Sequence, residues 1–414
     1  MIRGVGSSLV SLLAFGAGRA LFLLAVARFY GPSTLGVVVL ATTIMVLLAI
    51  VLGVASEPSA AFLTGRNPER IPTLRGNAAR LGMASAVCSV PLLLLLAAVL
   101  GEAALAEFGP LAWSALPLMI GGQVAQHQIQ GIQVGLGDFR GVTRGHVLHH
   151  GALLLGTVLL IALGLPGQAV LPLYAGTLIL KAWYQASTLP RGQRARAGEA
   201  PWHLLVEQAR HGVHMMLGNL VNLLNYRLDS LFIAYFLGPR DVGLYAAATT
   251  VAEATLYLPR GISQAAFSWS SSLQPAEPAD PDRRKTVRRL FVRLAVAGAL
   301  LASAVALVVP LLLPALFGRG FTPSVDPARI LLAAAFFNGL GLLAMGLLHG
   351  TGQARLNSRA GAIAALLNAA ANATLIPRFG IQGAAIGSLL SYGAYAGLSV
   401  TALKASLRGQ WRGR

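Results

Sequence analysis

A stripe of polar side chains crosses an otherwise apolar segment near residue 255. Its members recur at steps of three and four, which place side chains on one helical face; they are Thr249, Glu253, Tyr257, Arg260 and Gln264. Inside a membrane, ionisable groups cost roughly 2.5–3.5 kcal/mol each on insertion scales, so they are candidates for function. Arginine suits a phosphate because its planar guanidinium forms paired, charge-assisted hydrogen bonds. The stripe is therefore a candidate anion site.

Two other predicted helices add polar residues, namely Arg19, Asn222, Tyr226, Arg227 and Asp229. One interpretation is a water-filled cavity floored by Arg19, Arg227 and Arg260. The other is structural pairing, in which Arg260 meets Glu253 and Arg227 meets an acid such as Asp229. Because positions two apart on a helix do not face each other, a direct pair between Arg227 and Asp229 is disfavoured. Both interpretations stay open for Arg19 and Arg260.

The helices that position these residues are predicted to span a membrane. The chain has 414 residues, of which 55% are hydrophobic and 11% are charged, and its mean hydropathy is +0.67. Soluble proteins carry about 25% charged residues, so the composition excludes an ordinary soluble enzyme and a disordered protein. A single cysteine, Cys88, excludes a disulfide framework and a cysteine-based metal cluster.

Apolar stretches of about 20 residues predict an all-α polytopic fold with twelve spans. The spans are expected near residues 9–30, 36–56, 78–100, 110–136, 146–164, 169–188, 212–237, 242–266, 290–316, 328–350, 358–377 and 381–404. The net charge is +18, and the basic residues are unevenly distributed between the two sides of the membrane. Of the 32, 23 lie in segments on the same side as the N-terminus and 5 lie on the opposite side. This distribution predicts that both termini are cytoplasmic, and it accounts for most of the charge without a nucleic-acid partner.

The two halves of the chain are related by an internal duplication. Residues 27–44 (ARFYGPSTLGVVVLATTI) and 234–251 (AYFLGPRDVGLYAAATTV) share eight of eighteen positions at an offset of 207, including a Gly-Pro pair. We predict an N-terminal six-helix bundle over 1–190, a basic cytoplasmic linker over 191–211 and a C-terminal bundle over 212–414. Because six spans is an even number, the halves insert in parallel, and transporters of this kind bind substrate between their halves.

Further polar residues of the first half are interpreted structurally. The fourth span carries Gln123, Gln126, His127, Gln130 and Gln133, which we expect to form hydrogen bonds between helices. Lys181 is expected to extend to the membrane surface. The histidines at 146, 149 and 150 lack a neighbouring carboxylate or cysteine in sequence, so a solvated cluster is favoured over a metal site.

Sequence signatures of common enzymes are missing. The chain contains no G-x-x-x-x-G-K-[ST], H-E-x-x-H or G-x-S-x-G, motifs that mark a phosphate loop, a zinc peptidase helix and a nucleophile elbow. We therefore expect a transporter without a cofactor or a metal, whose energy comes from an ion gradient, a substrate gradient or a partner.

Three segments resemble polysaccharide flippases of the multidrug/oligosaccharidyl-lipid/polysaccharide exporter superfamily. They are RLDSLFIAYFLGPRDVGLYAAATTVAE (227–253), LFGRGF (316–321) and LIPRFGIQGAAIGSLLSY (375–392). The resemblance implies two six-helix bundles in a V around a cationic cavity. It also implies alternating-access flipping of undecaprenyl-pyrophosphate-linked oligosaccharides to the outer leaflet of a bacterial inner membrane. The products would be surface polysaccharides such as the O-antigen of lipopolysaccharide, and a polymerase or ligase would be a partner besides the lipid-linked substrate and membrane lipid.

The resemblance also assigns roles to the intramembrane residues. Substrate binding falls on Arg19, Arg227, Arg260, Tyr257 and Asn222. Coupling to protons or ions falls on Glu253, Asp229 and Glu57.

Alternatives from other classes also stay open. A drug or cation antiporter of the same fold is disfavoured by the three arginines, which repel cations, and by the absence of an acid in span 9–30. A lipid II-type flippase typically has two further spans. The loop GRNPERIPTLRG (65–76) does not fit the major-facilitator signature. A membrane-embedded glycosyltransferase would need an acidic metal motif, which the sequence does not show.

Overall fold

The computed structural model describes residues 2–54, 56–105, 107–190, 201–272 and 281–407. All regular secondary structure within these ranges is helical, which confirms the predicted all-α fold. The helices are α1 (Ile2–Leu52), α2 (Ser56–Arg66), α3 (Ile71–Leu105), α4 (Pro110–Gly135), α5 (Phe139–Ala162), α6 (Val170–Thr188), α7 (Pro201–Leu237), α8 (Pro239–Ala254), α9 (Tyr257–Ser272), α10 (Pro281–Phe317), α11 (Val325–Gly350) and α12 (Ala354–Leu407). Short 3₁₀ turns occur at Pro68–Arg70, Gly167–Ala169 and Arg319–Ser324.

Six helical stretches in the described chain are long and apolar enough to cross a membrane, as a polytopic membrane protein requires. Two of them, Gly16–Leu52 and Arg355–Ser406, each cover two predicted spans. Together the six stretches overlap eight of the twelve predicted spans. The other four fall on helices α4, α6, α7 and the pair α8 and α9. That these four segments cross the membrane stays a prediction.

The duplicated Gly-Pro pair forms the same local structure in both copies. Gly31 bends α1 with φ 82°, and Gly238 has φ 96° immediately before α8. Glycine adopts positive φ without a Cβ penalty. The proline that follows suits the first position of a helix, where an N–H has no intrahelical partner. The repeated pair thus starts a helix in each half.

The predicted eighth span (242–266) is interrupted, contrary to the expectation of a continuous helix, and the second (36–56) ends at Leu52, four residues earlier than predicted. Helix α1 ends at Leu52 and α2 begins at Ser56, while α8 ends at Ala254 and α9 begins at Tyr257. The physical reason is a proline at the third residue of each new helix, Pro58 in α2 and Pro259 in α9. A proline ring clashes with the carbonyl four residues earlier, which favours the first turn of a helix over its interior, although Pro91 and Pro117 lie inside α3 and α4.

The polar stripe near residue 255 is therefore divided between two helices. Thr249 and Glu253 lie on α8, whereas Tyr257, Arg260 and Gln264 lie on α9. The expectation that all five share one face of one helix is wrong.

The described chain divides into two compact units. The first contains 1–227 with 237–243, and the second contains 228–236 with 244–414. In the first unit a buried apolar cluster includes Leu63, Leu74 and Ile132. In the second, a cluster around Leu343 and Leu347 joins α9, α10, α11 and α12. The predicted boundaries at 190 and 211 stay a prediction, and residues 191–200 lie outside the described chain.

Within the first unit, the two copies of the repeated motif meet at glycines. A Cβ atom at Gly36 would overlap the carbonyl oxygen of Pro239, and one at Gly243 would overlap that of Pro32. The equivalent glycines therefore allow a reciprocal backbone contact that no larger residue permits. This contact gives a physical reason for the matching Gly and Pro positions of the repeat.

We expect Gly36→Ala to destabilise the protein, because overpacking typically costs about 1–3 kcal/mol. The matched control is Gly176→Ala, since a Cβ at Gly176 meets no atom within 4 Å and alanine favours a helix over glycine. Thermal unfolding of the purified protein in detergent measures both. A lower Tm for Gly36→Ala with an unchanged or raised Tm for Gly176→Ala is the expected pair, and equal shifts would contradict the contact.

Candidate functional site

Glutamine side chains of α4 form a hydrogen-bonded ladder in the first unit. Gln126 Nε2 donates to Gln130 Oε1 at 2.7 Å, and Gln130 Nε2 donates to Glu57 Oε1 of α2 at 2.9 Å. Residues four apart share a helical face, so the ladder follows one side of α4. It connects the predicted coupling acid Glu57, which is half-buried, to the interior of the bundle.

Other glutamines of α4 connect it to neighbouring helices. Gln185 Nε2 of α6 donates to Gln133 Oε1 at 2.8 Å. Gln128 Nε2 donates to Gln208 Oε1 of α7 at 3.2 Å. These contacts have the form expected from the sequence, in which buried amides hydrogen-bond between membrane helices.

Lys181 is buried inside the first unit, so the prediction that its side chain extends outward is wrong. Only 4% of the residue is exposed. Its Nζ lies 3.2 Å from His146 Nδ1 on α5, and because an ammonium group can only donate, the imidazole nitrogen accepts. Glu57 and His127 also interact electrostatically with this lysine.

The neighbouring histidines are buried, contrary to the prediction of a solvated cluster. His149 is 3% exposed and His150 is 6% exposed. His150 Nδ1 lies 3.0 Å from the carbonyl oxygen of His146, so this nitrogen carries the proton and donates. In the described part of the chain, no hydrogen-bond partner reaches His149 Nδ1. The His, Cys, Asp and Glu residues described here form no group of three or more that could hold a metal.

Arg19 lies beside this cluster on α1. The preceding Gly18 packs against α5 so closely that a Cβ atom there would lie 2.6 Å from His150 Cβ. Arg19 is half-buried and interacts electrostatically with His150 and Tyr174. The structure thus brings Arg19 and Lys181 to the same group of histidines. We call Arg19, Lys181, His146 and His150 the basic cluster.

A second polar centre surrounds Asp229 in the second unit. Its Oδ2 accepts hydrogen bonds from Tyr245 at 2.8 Å and from Ser388 at 2.7 Å, and its Oδ1 accepts one from Asn372 Nδ2 at 2.6 Å. Asn372 Nδ2 also donates to Asn368 Oδ1 at 2.9 Å. All five residues are buried. We call them the Asp229 centre.

The Asp229 centre contains more acceptor oxygen atoms than its hydrogen-bond donors reach. Within the described chain no donor reaches Asn372 Oδ1, although the atom is buried. A buried carbonyl oxygen without a partner is costly, so such an atom calls for an explanation such as an ion. Carboxylate, amide and hydroxyl oxygens are the ligands that hard cations prefer.

The other predicted site residues that the structure describes are less buried than the Asp229 centre. Arg260 on α9 and Glu253 on α8 are both half-buried, and among the described residues no ion pair or hydrogen bond joins them. Tyr257 is 39% exposed. Arg227 is half-buried at the end of the first unit. The side chain of Asn222 lies outside the described residues.

The structural alternative for Arg260 was an ion pair with Glu253, and the structure does not show this pair among the described residues. Arg19, Arg227 and Glu57 belong to the first unit, while Asp229, Glu253, Tyr257 and Arg260 belong to the second. The roles that the resemblance gives to these residues stay predictions.

Comparison with known proteins gives matches in sequence and in structure. Residues 25–326 match a family described as polysaccharide biosynthesis proteins. A probable flippase, AglR of Haloferax volcanii, is 30% identical over 212 residues, which make up 48% of this chain and 41% of that protein. The chain thus covers less than half the length of this relative.

Solved structures with a similar fold have low sequence identity. The lipid II flippase MurJ in an inward closed conformation has a TM-score of 0.70 at 13% identity, covering 97% of this chain and 87% of the other. An inward-facing multidrug resistance MATE family transporter of the MOP superfamily has a TM-score of 0.68 at 15% identity, with 97% and 95% covered. These likenesses confirm the predicted exporter-superfamily fold.

Proposed function

Because this chain belongs to the family of polysaccharide biosynthesis proteins, we propose that it is a flippase for a lipid-linked oligosaccharide. The substrate is an undecaprenyl-pyrophosphate-linked repeat unit, and it moves by alternating access from the inner to the outer leaflet. The product serves cell-surface polysaccharide synthesis, including O-antigen, at a bacterial inner membrane. Both termini face the cytoplasm, and a polymerase or ligase takes up the product.

The observation that carries this proposal is the basic cluster, which lies among the helices of this membrane protein. Arg19 and Lys181 approach the same histidines, and Glu57 is the carboxylate that interacts with Lys181. A pyrophosphate provides the negative charge that such a cluster needs, with Arg19 as the fork-shaped donor and Lys181 as a point charge. Arg227, Arg260, Tyr257 and Asn222 contact the remainder of the substrate in this proposal.

The Asp229 centre supports a role in coupling. In our proposal it binds a proton or a monovalent cation such as Na⁺, whose gradient drives the conformational cycle. The buried carboxylate supplies the charge, and Asn372 Oδ1 supplies an oxygen that has no partner in the described chain. Glu57 and Glu253 are further coupling candidates, because both are half-buried acids on helices of a membrane protein.

Reconstitution tests the proposed activity directly. The purified protein is placed in vesicles that contain a fluorescent undecaprenyl-pyrophosphate oligosaccharide, and a membrane-impermeant glycosidase reports which leaflet holds the sugar. We expect the protein to equilibrate the sugar between leaflets, while protein-free vesicles do not. Gradient-driven efflux of cationic dyes without oligosaccharide movement would instead identify a drug or cation antiporter. Selective movement of lipid II would identify a lipid II-type flippase.

We predict that Arg260→Ala slows oligosaccharide movement about tenfold or more without lowering stability. The reason is that no described ion pair or hydrogen bond holds its guanidinium, so its removal leaves no buried acid unpaired. Arg359→Ala, which removes an exposed arginine of α12, is the control. Initial flipping rates and Tm values are compared for the two variants. Wild-type flipping by a well-expressed Arg260→Ala protein would remove this residue from the site.

A further inference from the structure

An apolar groove lies on the first unit between helices α3, α4 and α6. Its volume is about 340 Å³, and nine of its fifteen lining residues are alanine or glycine. At its floor α3 and α4 touch through their backbones, since a Cβ at Gly82 would lie 2.8 Å from Gly121 O and one at Gly121 would lie 2.6 Å from Gly82 O. The missing side chains create a recess that larger residues would fill.

Large apolar side chains form the rim of this groove. Met83 of α3 is 66% exposed, Leu118 of α4 is 54% exposed and Trp183 of α6 is 67% exposed. On a membrane protein, exposed apolar side chains of this size face hydrocarbon. The groove therefore opens toward the lipid phase.

One end of the groove carries its only charged lining residue, Arg75. Arg75 is exposed, and no acidic group pairs with it among the described residues. It lies in the segment that the charge distribution predicts to be near the cytoplasm. Trp183 lies toward the same end of α6, and tryptophan favours the membrane interface. The groove thus combines an apolar recess with a single guanidinium at one end.

We propose that this groove binds the isoprenoid chain of a polyprenyl phosphate lipid, with the phosphate at Arg75. Charge complementarity selects the occupant, because a guanidinium and a phosphate form bidentate hydrogen bonds. One groove with one guanidinium suits a lipid with one chain and one anionic head better than a two-chain phospholipid. The inference rests on the proposed function, since it names where the lipid carrier of that substrate docks before its pyrophosphate reaches the basic cluster.

The test is photocrosslinking of the full chain in phosphatidylethanolamine–phosphatidylglycerol vesicles that contain a diazirine-labelled polyprenyl phosphate. We expect crosslinks on α3, α4 and α6 and a tenfold or larger loss with Ala79→Phe, which fills the groove. The control is Ala84→Phe, which adds the same bulk at an exposed position of α3 that does not line the groove. Crosslinks on other helices, or equal labelling of the two variants, would overturn the proposal.

A second variant tests the headgroup end without changing groove shape. Arg75→Gln should reduce labelling, whereas Arg80→Gln should not, because Arg80 is exposed on α3, lies outside the groove and donates to Asn77. Labelling is then measured with a tenfold excess of either phosphatidylglycerol or unlabelled polyprenyl phosphate as competitor. If phosphatidylglycerol reduces labelling as much as polyprenyl phosphate does, the groove is a general lipid contact and the assignment is overturned. Transport with no groove labelling contradicts this inference alone, and groove labelling with no transport contradicts the proposed function alone.

Discussion

Replacing Lys181 with methionine should reduce oligosaccharide flipping about 100-fold while leaving the protein folded. Methionine keeps the length and apolar character of the stem but removes the ammonium that donates to His146. Loss of one buried charge–charge contact to a pyrophosphate is worth about 2–5 kcal/mol, and each 1.4 kcal/mol is a factor of ten. The fluorescent-substrate assay in vesicles measures the rate.

The control for this variant is Lys404→Met, which removes an exposed lysine of α12. A structural role for Lys181 predicts a lower Tm with retained transport in the surviving folded protein, so Tm is measured alongside the rate. Lys181→Arg adds a second discrimination, because it keeps the charge and should retain more activity than Lys181→Met. Equal rates for Lys181→Met and Lys404→Met would exclude the lysine from the substrate site.

Local sequence was sufficient for most helices of this fold. The predicted spans 110–136 and 169–188 correspond to α4 at Pro110–Gly135 and α6 at Val170–Thr188, because apolar runs with Gly or Pro at their ends leave few alternatives. The repeated Gly-Pro pair also had a local meaning, a positive φ followed by a helix start. Pro58 and Pro259 lie in the first turns of α2 and α9, but prolines also lie inside α3, α4 and α10, so a proline alone does not predict where a helix breaks.

The candidate sites could be predicted only in part, since they depend on which helices pack together. Lys181 lies near the end of a predicted span, yet the packing of α6 against α5 turns it toward His146. Asp229 was identifiable as an intramembrane acid. Its partners Asn372 and Ser388 are 143 and 159 residues away in sequence, so no local pattern connects them. The lipid groove likewise exists only once three helices are adjacent.

Asp229→Asn should abolish the dependence of flipping on an imposed Na⁺ or proton gradient. The substitution keeps the side-chain shape but removes the negative charge that a cation requires at the Asp229 centre. It also replaces an acceptor for Tyr245 and Ser388 by an amide nitrogen, and hydrogen bonds to charged groups contribute about 1.5–3 kcal/mol each. A lower Tm is therefore expected together with the loss of gradient dependence.

Two controls separate coupling from stability. Tyr245→Phe removes one hydrogen bond to the carboxylate and keeps its charge, so it should lower Tm while flipping still responds to the gradient. Asp326→Asn removes an exposed acid whose partner is Arg329 at 3.5 Å, so it should change neither property. If Asp229→Asn and Tyr245→Phe lower Tm equally and flipping still responds to the gradient in both, the carboxylate has only a structural role in holding helices together. A response lost in Asp229→Asn alone ties the coupling ion to this carboxylate, because the two variants differ in the charge that they leave in the centre.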